Sequence, residues 1–525
     1  MVDGTCEAAI KVDRAIGETV ARSSSLLSNA DPEPCIMGSM FRHICSQSVK
    51  FTAYLLILTV VLFAARQLAS AQSYDIVILH GRVMDPETGL DAIRNVGIQG
   101  KKIVAISAEP MQGKTVIDAT GLVVAPGFID LHSHGQDEEN YRYKAMDGVT
   151  TALELEKGVW PVASWYAERE GKALINYGAS SGQIPVCMAV MHDTGSWLPR
   201  DKVITDTPTA AQQEQILADI EEGLRQGGLG IGMGLAYTPR ESPADILKVF
   251  QLAARTKEPI FVHVRNPGGL TPGVVDSLQE MIADAAITGA SVHVVHINSM
   301  ANKLTPLALQ MIRGARTRAI DITTEAYPYI AGATALESDV FGSGWQQKLD
   351  ITYSDLLWVE TGERLTEESF NRYRKTGGKV ILFTNTEEMV RRAMADSMVI
   401  IASDGTITDG KGHPRSAGTY ARVLGVYVRE QKVLTLMEAI RRASLAPAQR
   451  LEAFTPQMKH KGRLQVGADA DIDVFDPNIV IDKATFQQPA QYSYGFRYVL
   501  VSGKPVVRDG KVDESTLPGS AIRAH

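Results

Sequence analysis

The stretch APGFIDLHSHG, residues 125–135, carries an apolar run that ends in two histidines one residue apart. In an extended strand successive side chains alternate faces, so His132 and His134 point the same way and can share one cation. A bare His-x-His also occurs in ordinary loops, so its meaning rests on whether other strand ends carry groups of the same kind. Several do. PIFVHVRNPG (259–268) ends an apolar run in His263, SVHVVHINSM (291–300) carries His293 and His296, and MVIIASDG (398–405) closes on Asp404. Residues three apart face opposite sides of a strand, so only one of His293 and His296 looks inward. His296 is nearer the strand end, and His293 reads as a structural residue packed toward a helix. A carboxylate that ends a buried strand is costly unless a cation or hydrogen bonds offset it, the plainer alternative for Asp404 being a helix N-cap.

GVTTALELEKG (148–158) places Glu154 and Glu156 on one face and Lys157 on the other. Glu156, closer to the strand end, is the candidate to bridge metals, with Glu154 behind it. Lys157, carbamylated, is the alternative bridge. His192, in VMHDTG, follows an apolar run and lines either a pocket or a turn.

These segments alternate with helical patterns. VTTALELE, QIPVCMAVM, GIGMGLAY, PIFVHVR, SVHVVHIN, AIDITTEAY and MVIIASDG read as strands, separated by stretches such as AAQQEQILADIEEGLRQ with apolar residues at helical spacing. Strand then helix, about eight times over residues 126–454, predicts an α/β fold of the (β/α)8 TIM-like barrel type, whose chemistry sits at the C-terminal ends of the strands. A doubly wound open sheet is the competitor, but no GxGxxG or GxxxxGK[ST] follows the first strands. Short strands with Gly and Pro punctuation fill 73–125 and 455–515. The two β-rich ends are expected to form one small β-sandwich domain, followed by a tail at 516–525.

The chain has 525 residues, 45% of them hydrophobic, and a net charge of −7. That suits a large core and gives no basic surface for nucleic acid. Of four cysteines, Cys6, Cys35 and Cys45 lie in the first 45 residues, leaving Cys187 alone in the bulk, so no disulfide framework is expected. Residues 51–65, FTAYLLILTVVLFAA, are uncharged and apolar, preceded by Arg42 and Lys50 and followed by RQLASAQ. This is a secretory signal pattern with cleavage near Ala71–Gln72, and residues 1–72 are read as a leader that starts more naturally at Met37 or Met40. The run is short of the ~20 residues of a spanning helix, so a membrane enters only through an uncleaved leader. A secreted or periplasmic location is expected.

Taken together, His-x-His after a first strand, single histidines ending two middle strands and an aspartate ending a late one resemble the amidohydrolase superfamily. TEAYPYIAG (324–332) and SDGTITDGKGHPRSAGTYARVLG (403–425) resemble its D-aminoacylase branch, the N-acyl-D-amino-acid deacylases, over about residues 74–515. The resemblance implies one or two zinc ions, with His132, His134 and Asp404 at one site, His263 and His296 at the next and Glu156 between, where relatives commonly carry a cysteine. It implies metal-dependent amide hydrolysis with Asp404 as general acid/base. The implied partner is a small molecule bearing an amide and a carboxylate, bound by Arg415, Tyr329, Arg265 and Asn298, with Tyr327 the weaker tyrosine candidate. Asn298 stands where relatives carry a lysine. The alternatives are a cyclic amidase of the dihydroorotase or hydantoinase kind and an inactive scaffold on the same fold; an oligomer is compatible with either. N-terminal sequencing of the secreted protein should find the mature chain starting near Gln72; a start far upstream of Ala71 overturns the leader reading.

Overall fold

A computed structural model describes residues 73–524. The leader, with its apolar run and cleavage site, lies outside the described residues.

Eight parallel strands form the central sheet: Phe128–Asp130, Val149–Val159, Asn176–Gly182, Ile231–Gly234, Ile260–His263, Val292–Val294, Ile322–Ala326 and Val399–Ile401, each paired with the next. The sheet nearly closes. Across the seam between the first and last strands, Asp404 N donates to His132 O at 2.7 Å, and His134 N and Gly135 N donate to Gly405 O. The buried Lys144 ammonium joins the same two strands, bonding Asp130 Oδ2 at 2.7 Å and Ser403 Oγ at 2.5 Å. Removing one partner of such a desolvated pair leaves an uncompensated charge, so the seam is locked rather than merely adjacent.

Alternation along the strands sorts the core. Ile129, Leu131, Leu153, Leu155, Phe261, Val295 and Ile400 pack together inside the barrel, while Ala152, Ile231, Val262, Val292, Ile322 and Ile401 pack outward against helices. The helices are built for this. In Ala210–Arg225, Ile216, Ile220 and Leu224 recur every four residues on the buried face, and Thr209 and Gln212 form a reciprocal capping box.

Both β-rich ends contribute to a second sheet of nine strands. Val123–Pro126 runs antiparallel to Ile472–Phe475, so the strand that leads into the barrel is zipped to the segment that leaves it. Ile76, Ile78, Val96, Val124, Val474 and Leu500 form its core.

Three features differ from the sequence reading. QIPVCMAVM is not a strand but a helix, Gln183–Met191; the third strand is the preceding NYGASSG, whose small residues give no β-branched signature. An insertion between the seventh and eighth strands folds on its own core, with a three-stranded antiparallel sheet of Gly332–Ala335, Leu356–Trp358 and Lys379–Leu382. Its core includes Phe341, Trp345 and Phe370, the last two rings stacked at 5.2 Å. The segment read as a tail is docked: Ala521 bridges Tyr177, Ile522 N donates to Tyr177 O at 2.7 Å, and Ile522 joins the barrel-interior cluster.

Ile522→Ala should therefore cost about 2–5 kcal/mol, whereas Val116→Ala, at a position 58% exposed, should stay within about 0.5 kcal/mol. Melting temperatures of the two variants check this.

Candidate metal centre and active site

At the C-terminal ends of the strands the ligand-type side chains meet. The Nε2 atoms of His132 and His134 stand 3.2 Å apart. Asp404 Oδ1 lies 3.4 and 3.2 Å from them, and Glu156 Oε2 lies 3.8 Å from each. The other Glu156 oxygen is 3.4 Å from His263 Nδ1. His296 Nε2 is 3.9 Å from Asp404 Oδ2, and its ring centroid is 4.7 Å from that of His263. Three triads, His132–His134–Glu156, Glu156–His263–His296 and His132–His296–Asp404, each bring their ligand atoms within 4.8 Å of one another. Glu156 belongs to two of them. Its strand pairs in register with the third strand through Glu154 and again only at Val159, and the irregularity between re-aims Glu156 toward the cluster.

The hydrogen bonds behind the cluster settle the tautomers. His132 Nδ1 meets Glu325 Oε1 at 2.6 Å and His134 Nδ1 meets Glu154 Oε2 at 2.9 Å. An ionised carboxylate only accepts, so each Nδ1–H donates and both Nε2 lone pairs face the same point. His296 Nδ1 is 3.1 Å from Ser299 Oγ, which itself lies 3.0 Å from the His296 carbonyl; the hydroxyl donates to the carbonyl and accepts from the ring, leaving Nε2 as a lone pair. Lone pairs that converge at 3.2 Å need a positive charge between them. Without metal a proton serves: burial disfavours it, but the Glu154 charge raises His134 to about 10. A divalent cation takes that proton's place, and ligands about 2.0–2.2 Å from zinc stand roughly 3.4 Å apart in a tetrahedral shell. The nitrogen and oxygen donors therefore fit zinc.

Two of the metal-facing residues have special backbones. His296 has φ 30° and Asp404 φ 54°, left-handed values that are uncommon outside glycine and that recur at active sites. They explain an error in the parity argument. His293 does not pack toward a helix; it lies inside the barrel, donating from Nε2 to Glu325 Oε2 at 3.0 Å with Nδ1 at 2.7 Å from Thr323 Oγ1. The strand ends at Val294, and the left-handed turn brings His296 to the same interior. Glu325, which holds His132 and His293 together, was missed by sequence reasoning. Its place in TEAYPY, at the end of a strand, was the available signal.

Asp404 is not an N-cap. Burial raises its proton affinity, but the Arg415 guanidinium, whose Nη2 sits 2.9 Å from Oδ2, and His132 hold it well below the usual carboxylate range. Arg415 also lies over the Tyr327 ring at 4.4 Å, and its Nε and Nη1 have no hydrogen-bond partner.

Beside the cluster lies a cavity of about 240 Å³ lined by His134, Glu156, His263, His296, Tyr327 and Asp404, with apolar walls from Trp197, Leu235 and Met300. The insertion supplies Val340, Lys348 and Leu349 to its rim. Among the expected substrate residues, Tyr329 points away, its hydroxyl donating to Asp482 Oδ2 at 3.1 Å; Tyr327, of opposite reach in the same loop, lines the cavity instead. Asn298 does not reach the cavity either: it is fully buried and donates to the Tyr327 carbonyl at 3.1 Å. Arg265 does line it, though its guanidinium is held by Glu280 and the Glu241 carbonyl. Lys157 lines the wall with Nζ 3.4 Å from the Gly158 carbonyl. His192 is an exposed, left-handed C-cap of the helix Gln183–Met191.

A model of the amidohydrolase family matches residues 115–346 and 368–507. An N-acyl-D-glutamate deacylase of Alcaligenes xylosoxydans xylosoxydans is 29% identical over 498 residues, spanning 86% of this chain and 97% of that protein. A D-aminoacylase of the same organism is 29% identical over 480 residues, spanning 83% and 95%. Among solved structures, the N-acyl-D-glutamate deacylase of Bordetella bronchiseptica, complexed with zinc and a phosphonate inhibitor mimicking the tetrahedral intermediate, superposes with a TM-score of 0.73 at 26% identity, covering 86% of this chain and 100% of that one. The barrel, the donor cluster at its strand ends and these matches together place the chain in the amidohydrolase family.

Proposed function

We propose that the protein hydrolyses the amide bond of N-acyl-D-amino acids at a zinc centre held by His132, His134, Glu156, His263, His296 and Asp404. The observation that carries the reading is the convergence of the His132 and His134 lone pairs, each aimed by a carboxylate, on a point also faced by Glu156 and Asp404 at the edge of a cavity. Kinship with deacylases of N-acyl-D-amino acids narrows the amide.

Zinc, when bound, supplies Lewis acidity to a carbonyl oxygen and to water, whose pKa falls from ~15.7 to about 7. The chain's own groups do the rest. Asp404, kept ionised by Arg415 and His132 and lining the cavity, takes the proton of the attacking water and returns it to the departing amine. Glu325 and Glu154 hold His132 and His134 in the tautomers that face the reacting centre. Arg415 has two nitrogens without partners, Nε and Nη1, on different edges of its guanidinium, so each is free for a single charge-assisted hydrogen bond to a substrate carboxylate while Nη2 stays on Asp404. The Tyr327 hydroxyl, also without a partner, is placed to donate to the carbonyl or the carboxylate. Trp197, Leu235, Met300 and Leu349 surround the apolar part of the substrate and exclude water.

A cyclic-amide enzyme of the carbamylated-lysine type is disfavoured because Glu156 occupies the shared position, while Lys157 turns to the Gly158 carbonyl. An inactive scaffold is disfavoured because all six donors converge.

Zinc-loaded protein, its metal content measured on the same sample, should release amino acid from N-acetyl-D-amino acids and not from their L counterparts; no hydrolysis of any D substrate overturns the reading. Asp404→Asn should keep bound zinc and lose about 10²–10⁴-fold in kcat, since general acid–base transfer contributes that much. Glu325→Gln, which cannot accept from both His132 and His293, should weaken zinc about 10–100-fold, measured by competition with a chromophoric chelator.

A further inference from the structure

At the opposite end of the barrel, where the strands begin, the chain holds a second cavity of about 650 Å³. Its inner wall is Asp321 and Thr323 at the start of the seventh strand and Met398, Val399 and Ile400 at the start of the eighth. Arg313, Arg316, Arg441 and Arg450 also line it, against Asp321 as the sole acid among the described lining residues. Two of the four are committed elsewhere: Arg313 Nη2 to Asp396 at 2.6 Å, and Arg441 to Glu438 at 2.7 and 2.8 Å.

The other two have unmet capacity. The Arg450 side chain is 3% exposed, and its Nη1 bonds Asp321 Oδ1 at 2.8 Å. Its Nε and Nη2 have no hydrogen-bond partner. Those two nitrogens form the bidentate edge of a guanidinium, the one with which Arg82 grips Asp91 in this same protein. Arg316 makes no ion pair among the described residues and sits close enough to Arg450 that its charge adds to burial in pulling that guanidinium below its usual range. Buried polar groups are nearly always paired, so the two free donors of the buried Arg450, with the exposed and unpaired charge of Arg316 at the same cavity, mark a place for a negative charge. Met398, Val399, Ile400, Ala446, Ala453 and Phe454 give the remaining wall an apolar part, beside the polar side chains of Thr317, Thr323, Ser397 and Gln449. A volume in the range of small-molecule sites, a partly apolar wall and a few convergent cationic groups describe a ligand site rather than a packing defect.

We infer that this cavity binds an organic oxyanion, a carboxylate or phosphate carried on an apolar body, through Arg316 and Arg450. The site also has a route to the strand-end chemistry. Thr323 Oγ1 is 2.7 Å from His293 Nδ1, His293 Nε2 is 3.0 Å from Glu325 Oε2, and Glu325 Oε1 is 2.6 Å from His132 Nδ1. Each member has one role: the two imidazoles donate to the carboxylate, so the Thr323 hydroxyl donates to His293. The one Thr323 proton is committed to His293, so an anion held by Arg450 beside it acts through its charge on a continuous hydrogen-bond chain that ends on His132. Given the metal reading above, occupancy of the cavity is coupled to zinc affinity.

The test uses the full metal-free chain at constant ionic strength, titrated calorimetrically with phenyl phosphate and with benzoate, and with inorganic phosphate and acetate as partners lacking the apolar body. The expected result is one aromatic anion per chain, at least tenfold tighter than its small counterpart, with affinity falling at least tenfold in Arg316→Glu. That position is exposed, so the variant folds irrespective of the outcome, whereas Arg450→Gln risks the barrel floor. No binding overturns the site, and so does binding that Arg316→Glu leaves unchanged, because it then belongs to the strand-end cavity. Coupling is read separately, as zinc affinity by chelator competition with and without saturating phenyl phosphate. A change of at least threefold is expected in the parent chain and none in Thr323→Val or Arg316→Glu; equal zinc affinities in the parent chain overturn the coupling and leave the binding result standing.

Discussion

The structure depends on the mutual compensation of buried charges at the barrel's active end. Glu154, Glu156 and Glu325 are buried and Asp404 is open only to the cavity it lines, and an isolated buried carboxylate would protonate rather than stay charged. Here Glu154, Glu325 and Asp404 each face a group that keeps them ionised. His132 and His293 hold Glu325 down to about 2, against the effect of burial. His134 does the same for Glu154, and Arg415 for Asp404. Such an arrangement is stable only as a set, since breaking one pair strands its partner. It is also electron-rich at its centre, which is what makes it a site for a cation.

That set needs the barrel to be closed where the first and last strands meet. His132 and Asp404 belong to opposite sides of the seam, and the Asp404 N to His132 O bond at 2.7 Å connects them directly. Lys144, bonded to Asp130 two residues before His132 and to Ser403 one residue before Asp404, holds the strands in register from behind. The strap of Val123–Pro126 against Ile472–Phe475 then ties the chain entering the barrel to the chain leaving it, while the insertion closes the cavity rim above. Each outer element is thus one step removed from the position of an imidazole.

Much of the fold was legible because strand and helix periodicities are properties of short segments. The reading failed where local pattern and environment part company. QIPVCMAVM is apolar enough for a strand, yet its run packs as a helix, whereas NYGASSG, with small residues facing crowded neighbours, makes the strand. The insertion was invisible because its strands pair with one another rather than with the barrel, and its aromatic core resembles any other helix-packing stretch. His293 and His296 show the limit of parity: it holds only while the strand persists, and a single left-handed residue resets the directions after it.

By itself the sequence determined which residues could bind a cation and roughly where along the chain they recur, because donor chemistry and strand alternation are both written locally. It also determined the class of fold, since alternating segment periods leave few ways to bury them. Only the tertiary structure decided that Glu325 orients His132, that Tyr327 rather than Tyr329 meets the cavity, and that Arg415 grips Asp404. The two pairs lie 193 and 11 residues apart in sequence. Direction and distance across a closed barrel follow from where strands end and how the seam registers, and neither is encoded in any one segment.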